Sequence, residues 1–112
     1  MDANNVAVIR GTVSSEPVVR TLPSGSTVTQ VEVTTQLADG ATSVPVAVHG
    51  TRVTVTRGDE VVVVGHISRR FFRAGGVTQS RTELIADRVV KASRTVTVAR
   101  AVDRAVRALD PI

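Results

Sequence analysis

The chain has no tryptophan and no tyrosine, and its only two phenylalanines, Phe71 and Phe72, are adjacent. They lie in GHISRRFFRAGGVTQSR, residues 65–81, together with Arg69, Arg70, Arg73 and Arg81. A folded core would take the rings but not the guanidinium groups around them. Exposed rings among arginines suit another chemistry. A nucleobase stacks on an aromatic face whatever its identity, and guanidinium groups hold phosphates or stack in turn. The competing reading is that a ring caps the end of a barrel while the arginines solvate it, and it applies to Phe71 more than to Phe72.

Nothing comparable supports catalysis. His49 and His66 are far apart and have no motif around them, and the acidic residues are scattered without metal-ligand spacing. Gly75-Gly76 reads as a hairpin tip, not as a phosphate cradle. The sequence therefore predicts no enzyme, no metal and no cofactor.

Composition bounds the rest. A chain of 112 residues, 42% hydrophobic, is long enough for one modest core. Valine dominates the apolar content and threonine is frequent, and β-branched side chains favour strands. There is no cysteine, hence no disulfide framework and no zinc-thiolate site. The opening MDANNVAVIRG is acidic and lacks the basic and apolar regions of a secretory leader. No apolar run approaches the roughly 20 residues that span a bilayer. The expected location is cytoplasmic, at the nucleoid, with no membrane partner. The net charge is +4, and of fourteen basic residues only Lys91 is a lysine. Such a charge draws polyanions, nucleic acid first. A GC-rich genome would also favour arginine, but it would not gather four of them around the phenylalanines.

The elements that must position these residues are strands. NNVAVIRGTVSSEP alternates, with Ala7, Ile9, Gly11 and Val13 on one face and Val6, Val8, Arg10 and Thr12 on the other. TLPSGST is a turn, and TVTQVEVTTQ a second strand. LADGAT is a hairpin connection. SVPVAVHG is a third strand, with Val44, Val46 and Val48 opposite Ser43, Pro45, Ala47 and His49. Pro45 cannot donate to a ladder, which predicts a local edge or bulge. TRVTVTRGDE turns at Arg57-Gly58-Asp59. VVVVGHISRRFF is a long fourth strand, and VTQSRTELIADRVV returns as a fifth. Five short strands with turn punctuation predict a small all-β antiparallel barrel with a long hairpin. VARAVDRAVRALDPI places Val98, Val102, Ala105, Val106 and Leu109 at helical spacing and stops before Pro111. The expected division is a barrel over residues 1–92 and a basic amphipathic tail helix over 93–112. The tail could pack on the barrel, join copies, or form only on binding.

Phase orders the long hairpin. Val61, Val63, Gly65 and Ile67 make a core row; Val62, Val64, His66, Ser68, Arg70 and Phe72 make the other, which turns polar toward its end. Phe71 shares the first row with Arg69 and Arg73.

Against these residues, NNVAVIRGTVSSEPVVRTLPSG resembles the opening of bacterial single-stranded DNA-binding proteins. Asn5, Gly11, Glu16-Pro17, Arg20 and Pro23-Ser24-Gly25 match in order and spacing. GDEVVVVGHISRRFF and TELIADRVV are similar to the family's later strands, so the resemblance covers residues 5 to about 90. It implies an oligonucleotide/oligosaccharide-binding (OB) barrel that binds single strands without sequence preference, and a homo-oligomer, tetramer or dimer. It places Phe72 at a stacking position, His49 where the family carries a phenylalanine, and Ser43 where a tryptophan often opens the strand. The chain departs from the family in its thinned aromatic set and in the missing helix between the third and fourth strands. It also lacks the long tail with an acidic tip; its ALDPI ending is at most an echo of one. This is the pattern of a diverged, minimal paralogue.

The expected interface is Arg10, His49, Arg69, Arg70, Phe71, Phe72, Arg73 and Arg81, with the arginines on phosphate and Phe72 stacking. Arg10 is included on strand phase alone, and solvated charge is its plain alternative; for His49 it is a half-buried, backbone-bonded imidazole. The expected role lies in replication, repair or recombination. RNA is not distinguished from DNA by these residues. The alternative function is an assembly module on the same barrel with weak or lost DNA binding, in which the tail is the working element.

Overall fold

A computed structural model describes residues 3–50 and 53–109. The ends of the sequence, with Pro111 and the DPI terminus, and Thr51-Arg52 lie outside the described residues. The elements in chain order are β1 (Ala7–Val13), β2 (Val18–Thr21), β3 (Thr27–Leu37), β4 (Gly40–His49), β5 (Glu60–Ala74), β6 (Val77–Lys91) and α1 (Thr95–Ala108). Five strands close a ring: β1 pairs β5, β5 pairs β6, β6 pairs β4, β4 pairs β3, and β3 returns to β1. All these pairings are antiparallel except β4 with β6, which run parallel at Val46–Leu84 and Ala47–Ile85. This closed five-stranded barrel with one C-terminal helix is an OB fold. Among the described residues no helix is long and apolar enough to cross a membrane.

Valine alternation builds the interior. Val13, Val31, Val33, Val46, Val48, Val61, Val63 and Leu84 pack into one buried cluster, with Ala7, Ile9 and Val44 against it. The rows Ala7, Ile9, Val13 of β1 and Val44, Val46, Val48 of β4, each read on one face, are therefore the inward ones. Closure depends on a glycine. A Cβ on Gly11 would collide with the Thr34 carbonyl where β1 leaves β5 for β3. Only a residue without a side chain lets the two backbones approach.

Pro45 meets the expected condition of a local edge. It faces Glu32 across the β3–β4 pair. The Glu32 backbone bonds elsewhere: its N–H donates to Ser15 Oγ (2.9 Å) and its carbonyl accepts from Ser14 N (2.9 Å). This is thus a non-hydrogen-bonded pair, and Pro45 also precedes the short segment of β4 that joins β6, so no ladder bond is lost.

Two elements differ from the sequence reading. Val18–Thr21 is a separate short strand added to β3, and all four of its residues are exposed. Without an inward row it carries no alternation to read. α1 occupies Thr95–Ala108 of the expected 93–112; of the residues read at helical spacing, Val106 faces solvent, and the exposed Leu109 caps the helix in an extended conformation. Its inner stripe is Val98, Ala101, Val102 and Ala105, which pack on Val62 and Val64, the apolar start of the outer row of β5. Val106 follows Ala105 and is turned about 100° away from it. Of the three roles open to the tail, packing on the barrel is the one observed.

The two sides of the molecule should respond differently to truncation. Leu84→Ala empties a fully buried site and should lower the unfolding free energy by about 2–5 kcal/mol. Val106→Ala should change it by less than about 0.5 kcal/mol. Urea denaturation followed by circular dichroism measures both.

Candidate nucleic-acid interface

β5 and β6 extend beyond the barrel as a two-stranded ribbon. β1 accompanies β5 as far as Gly65, opposite Ala7. One residue pair further, the Asn5 side chain stands in for a strand: its Nδ2 donates to the Ile67 carbonyl (2.7 Å) and its Oδ1 accepts from Ile67 N (3.0 Å). From Ser68 onward β5 is held by β6 alone. The ribbon turns at Gly75-Gly76, whose φ values of 59° and 80° are those of a two-residue hairpin turn.

Cross-strand register fixes which side chains share a face. Arg69, Phe71 and Arg73 stand opposite Thr82, Ser80 and Thr78. Ser68, Arg70 and Phe72 stand opposite Glu83, Arg81 and Gln79. Each face therefore carries one ring and its own arginine above it. The Arg69 guanidinium lies 5.1 Å from the Phe71 centroid, and that of Arg70 lies 5.6 Å from the Phe72 centroid. Phe71 is 66% exposed and Phe72 37%. Neither ring belongs to the core, so the reading of Phe71 as a barrel cap does not describe it.

The two faces differ in charge. On the Phe72 face, Glu83 Oε1 lies 3.5 Å from Arg70 Nε and Glu83 Oε2 lies 3.7 Å from Arg81 Nε. Glu32 of β3 reaches Arg81 at 3.9 Å and accepts from Ser43 Oγ at 3.3 Å. On the Phe71 face, Arg69 donates to Ser80 Oγ (3.2 Å) and Arg73 to the Gly76 carbonyl (2.8 Å). Among the described residues no carboxylate comes within ion-pair distance of either.

The structure brings together Arg69, Arg70, Phe71, Phe72, Arg73 and Arg81. His49 is exposed at the end of β4, on the same outer row as Ser43, Pro45 and Ala47. Ser43 is joined to Arg81 through Glu32, and His49 is six residues further along, roughly 20 Å at strand rise. Between them Ala47 of the same row is buried, so His49 stands apart from the ribbon. Arg10 is apart from the group. It pairs in register with Val62, at the base of β5, and is engaged by Glu60 through both Nε and a terminal nitrogen. Eight residues of β5 separate Val62 from Arg70, roughly 26 Å. Strand phase gives Arg10 the outward row of β1, but at that height the row lies by the start of the helix, near Lys91 and Thr95.

Glu32 and Glu83 are the residues the sequence reading passed over. A signal existed: Glu83 is two residues from Arg81 on one strand and so shares its face. The pairing with Arg70 needs the register of the hairpin. Among the described residues no group of three or more His, Cys, Asp or Glu could hold a metal ion.

Comparison with known proteins agrees with this architecture. A solved structure of Plasmodium falciparum SSB in complex with ssDNA superposes with a TM-score of 0.69 at 17% identity, over 81% of this chain and 96% of that one. No curated protein sequence matches the chain. The profile of the Single-strand binding protein family matches residues 4–92, which include the whole barrel and the ribbon. The chain belongs to the single-strand binding protein family.

Proposed function

We propose that this protein binds single-stranded DNA without sequence preference, as a homo-oligomer at the nucleoid, in replication, repair or recombination. The observation that carries the reading is the ribbon: two exposed rings, each with a guanidinium above it, on a projection free of the core. A ring covered on one side by arginine offers its other side to a base. Stacking needs no particular base, which is the basis of sequence tolerance. Arg69 and Arg73 supply positive charge for the backbone, and its neutralisation makes binding salt-dependent. Membership of the family supports the same ligand, and so does the likeness to Plasmodium falciparum SSB, which was solved in complex with ssDNA.

Oligomerisation has a structural opening. β1 meets β3 only at Thr12 and Val13, so its edge over Ala7–Gly11 has no strand partner among the described residues. An unpaired edge is a template for another strand. Light scattering coupled to size exclusion should give a multiple of the 11.8 kDa chain mass; a mass equal to one chain at micromolar concentration would remove this part of the proposal.

Fluorescence anisotropy of a labelled oligo-dT, at low and near-physiological salt and beside a duplex of equal length, tests the ligand. Tighter binding to the single strand at both salts is expected. Equal binding to both that vanishes with salt would refute the reading and favour an assembly module working through α1. An oligo-U competitor in the same titration distinguishes RNA. Phe72→Ala should cost about 1–3 kcal/mol of binding, the value of one stacked base, with an unchanged circular dichroism spectrum.

A further inference from the structure

Both faces of the ribbon carry a ring and arginines, but one is neutralised by carboxylates and the other is not, and Glu83 contributes most to the difference. The Glu83 side chain is only 9% exposed and lies between Arg70 and Arg81, 3.5 Å and 3.7 Å from their Nε atoms. With Glu32 at 3.9 Å from Arg81, two guanidinium groups face two carboxylates, and the local charge sums to zero. Arg81 Nε is itself buried, with no hydrogen-bond partner among the described residues, so Glu83 is its nearest compensation. Separating a buried carboxylate from its cations is costly because the charge left behind is not solvated. Arg70 is held by Glu83 and lies over Phe72. The order of support therefore runs from Glu83 to Arg70 to the ring.

We propose that Glu83 is a positioning residue of the interface: it fixes Arg70 and Arg81 and cancels their charge, so the Phe72 face binds the strand by stacking while Arg69 and Arg73 neutralise phosphate. This rests on the single-strand reading above. A phosphate that approaches Arg70 must displace Glu83, an exchange of one anion for another. Such an exchange releases little from the counterion atmosphere of the strand. Arg69 and Arg73 bond only neutral oxygens, of Ser80 and Gly76, and have no such competitor.

The salt dependence of oligo-dT binding separates the roles, because each phosphate neutralised on a single strand contributes about 0.7 to the slope of log K against log salt. Arg69→Ala and Arg73→Ala should each flatten the slope by about 0.7 per chain. Arg70→Ala should weaken binding by a similar factor at every salt and leave the slope within about 0.3 of the starting value, under half of one phosphate contribution. Glu83→Gln, which removes the charge and keeps the shape, should tighten binding at low salt and steepen the slope by about 0.7–1.4, for one or two arginines released. An unchanged slope in Glu83→Gln, or a flattening by Arg70→Ala equal to that of Arg69→Ala, overturns the proposal. Should Glu83→Gln fail to fold by circular dichroism, the comparison of Arg70→Ala with Arg69→Ala decides alone. An unmodified protein that does not prefer the single strand refutes the proposed function and this inference together. Preference for the strand with the slopes reversed refutes this inference only.

Discussion

The alternation of one strand governs this molecule. β5 is fifteen residues long, and its fourteen steps of about 3.3 Å trace a path of roughly 46 Å. Its inward row, Val61 and Val63, is at the centre of the core. Its outward row begins as the seat of α1, through Val62 and Val64. Past Ile67 the strand has left the barrel, and the same two rows become the two faces of a free ribbon. Because successive side chains must oppose each other, the placement of Val63 in the core determines which face receives Phe71 and which Phe72. The packing of the barrel and the division of side chains on the ribbon are thus set by a single phase.

The core that anchors this strand is built almost entirely of valine. A valine side chain is short and stiff at χ1, so it loses little rotamer freedom on burial and fills a narrow barrel without long side chains. The cost is the absence of any large interior ring. Both phenylalanines are outside, and stability rests on the number of small contacts and on close backbone approach at Gly11. Chemistry and folding therefore draw on different residue types, and the ribbon can be altered without reaching the core.

How much of this was legible in the sequence follows from the same division. Elements with one wet and one dry face declare themselves through alternation, and β1, β3, β4 and the β5–β6 hairpin are readable for that reason. The turn at Gly75-Gly76 is readable because its backbone demands glycine. The four residues of β2 face water throughout and have no pattern to detect. Arg10 shows the limit of phase: alternation gives the face of a strand but not the height along it, and only the register of β1 against β5 puts Arg10 beside Glu60. Glu83 shows a second limit. A charged residue in a strand reads as solvated surface until the partner strand brings Arg70 diagonally beside it.

One small contact has a consequence for anything attached to this domain. Ala3 N donates to the Ala108 carbonyl at 2.7 Å, and Ala3 bridges Leu109 in parallel. The two ends of the described chain are thus clasped side by side at the C-terminal end of α1, near Gly65 and His66, where the ribbon leaves the barrel. A label, a tether or a second domain added before Ala3 or after Leu109 would depart from one common point, near the base of the ribbon. A short linker between the same ends would join them into a loop, and the chain could then be reopened elsewhere with the order of its strands rotated but their pairing intact.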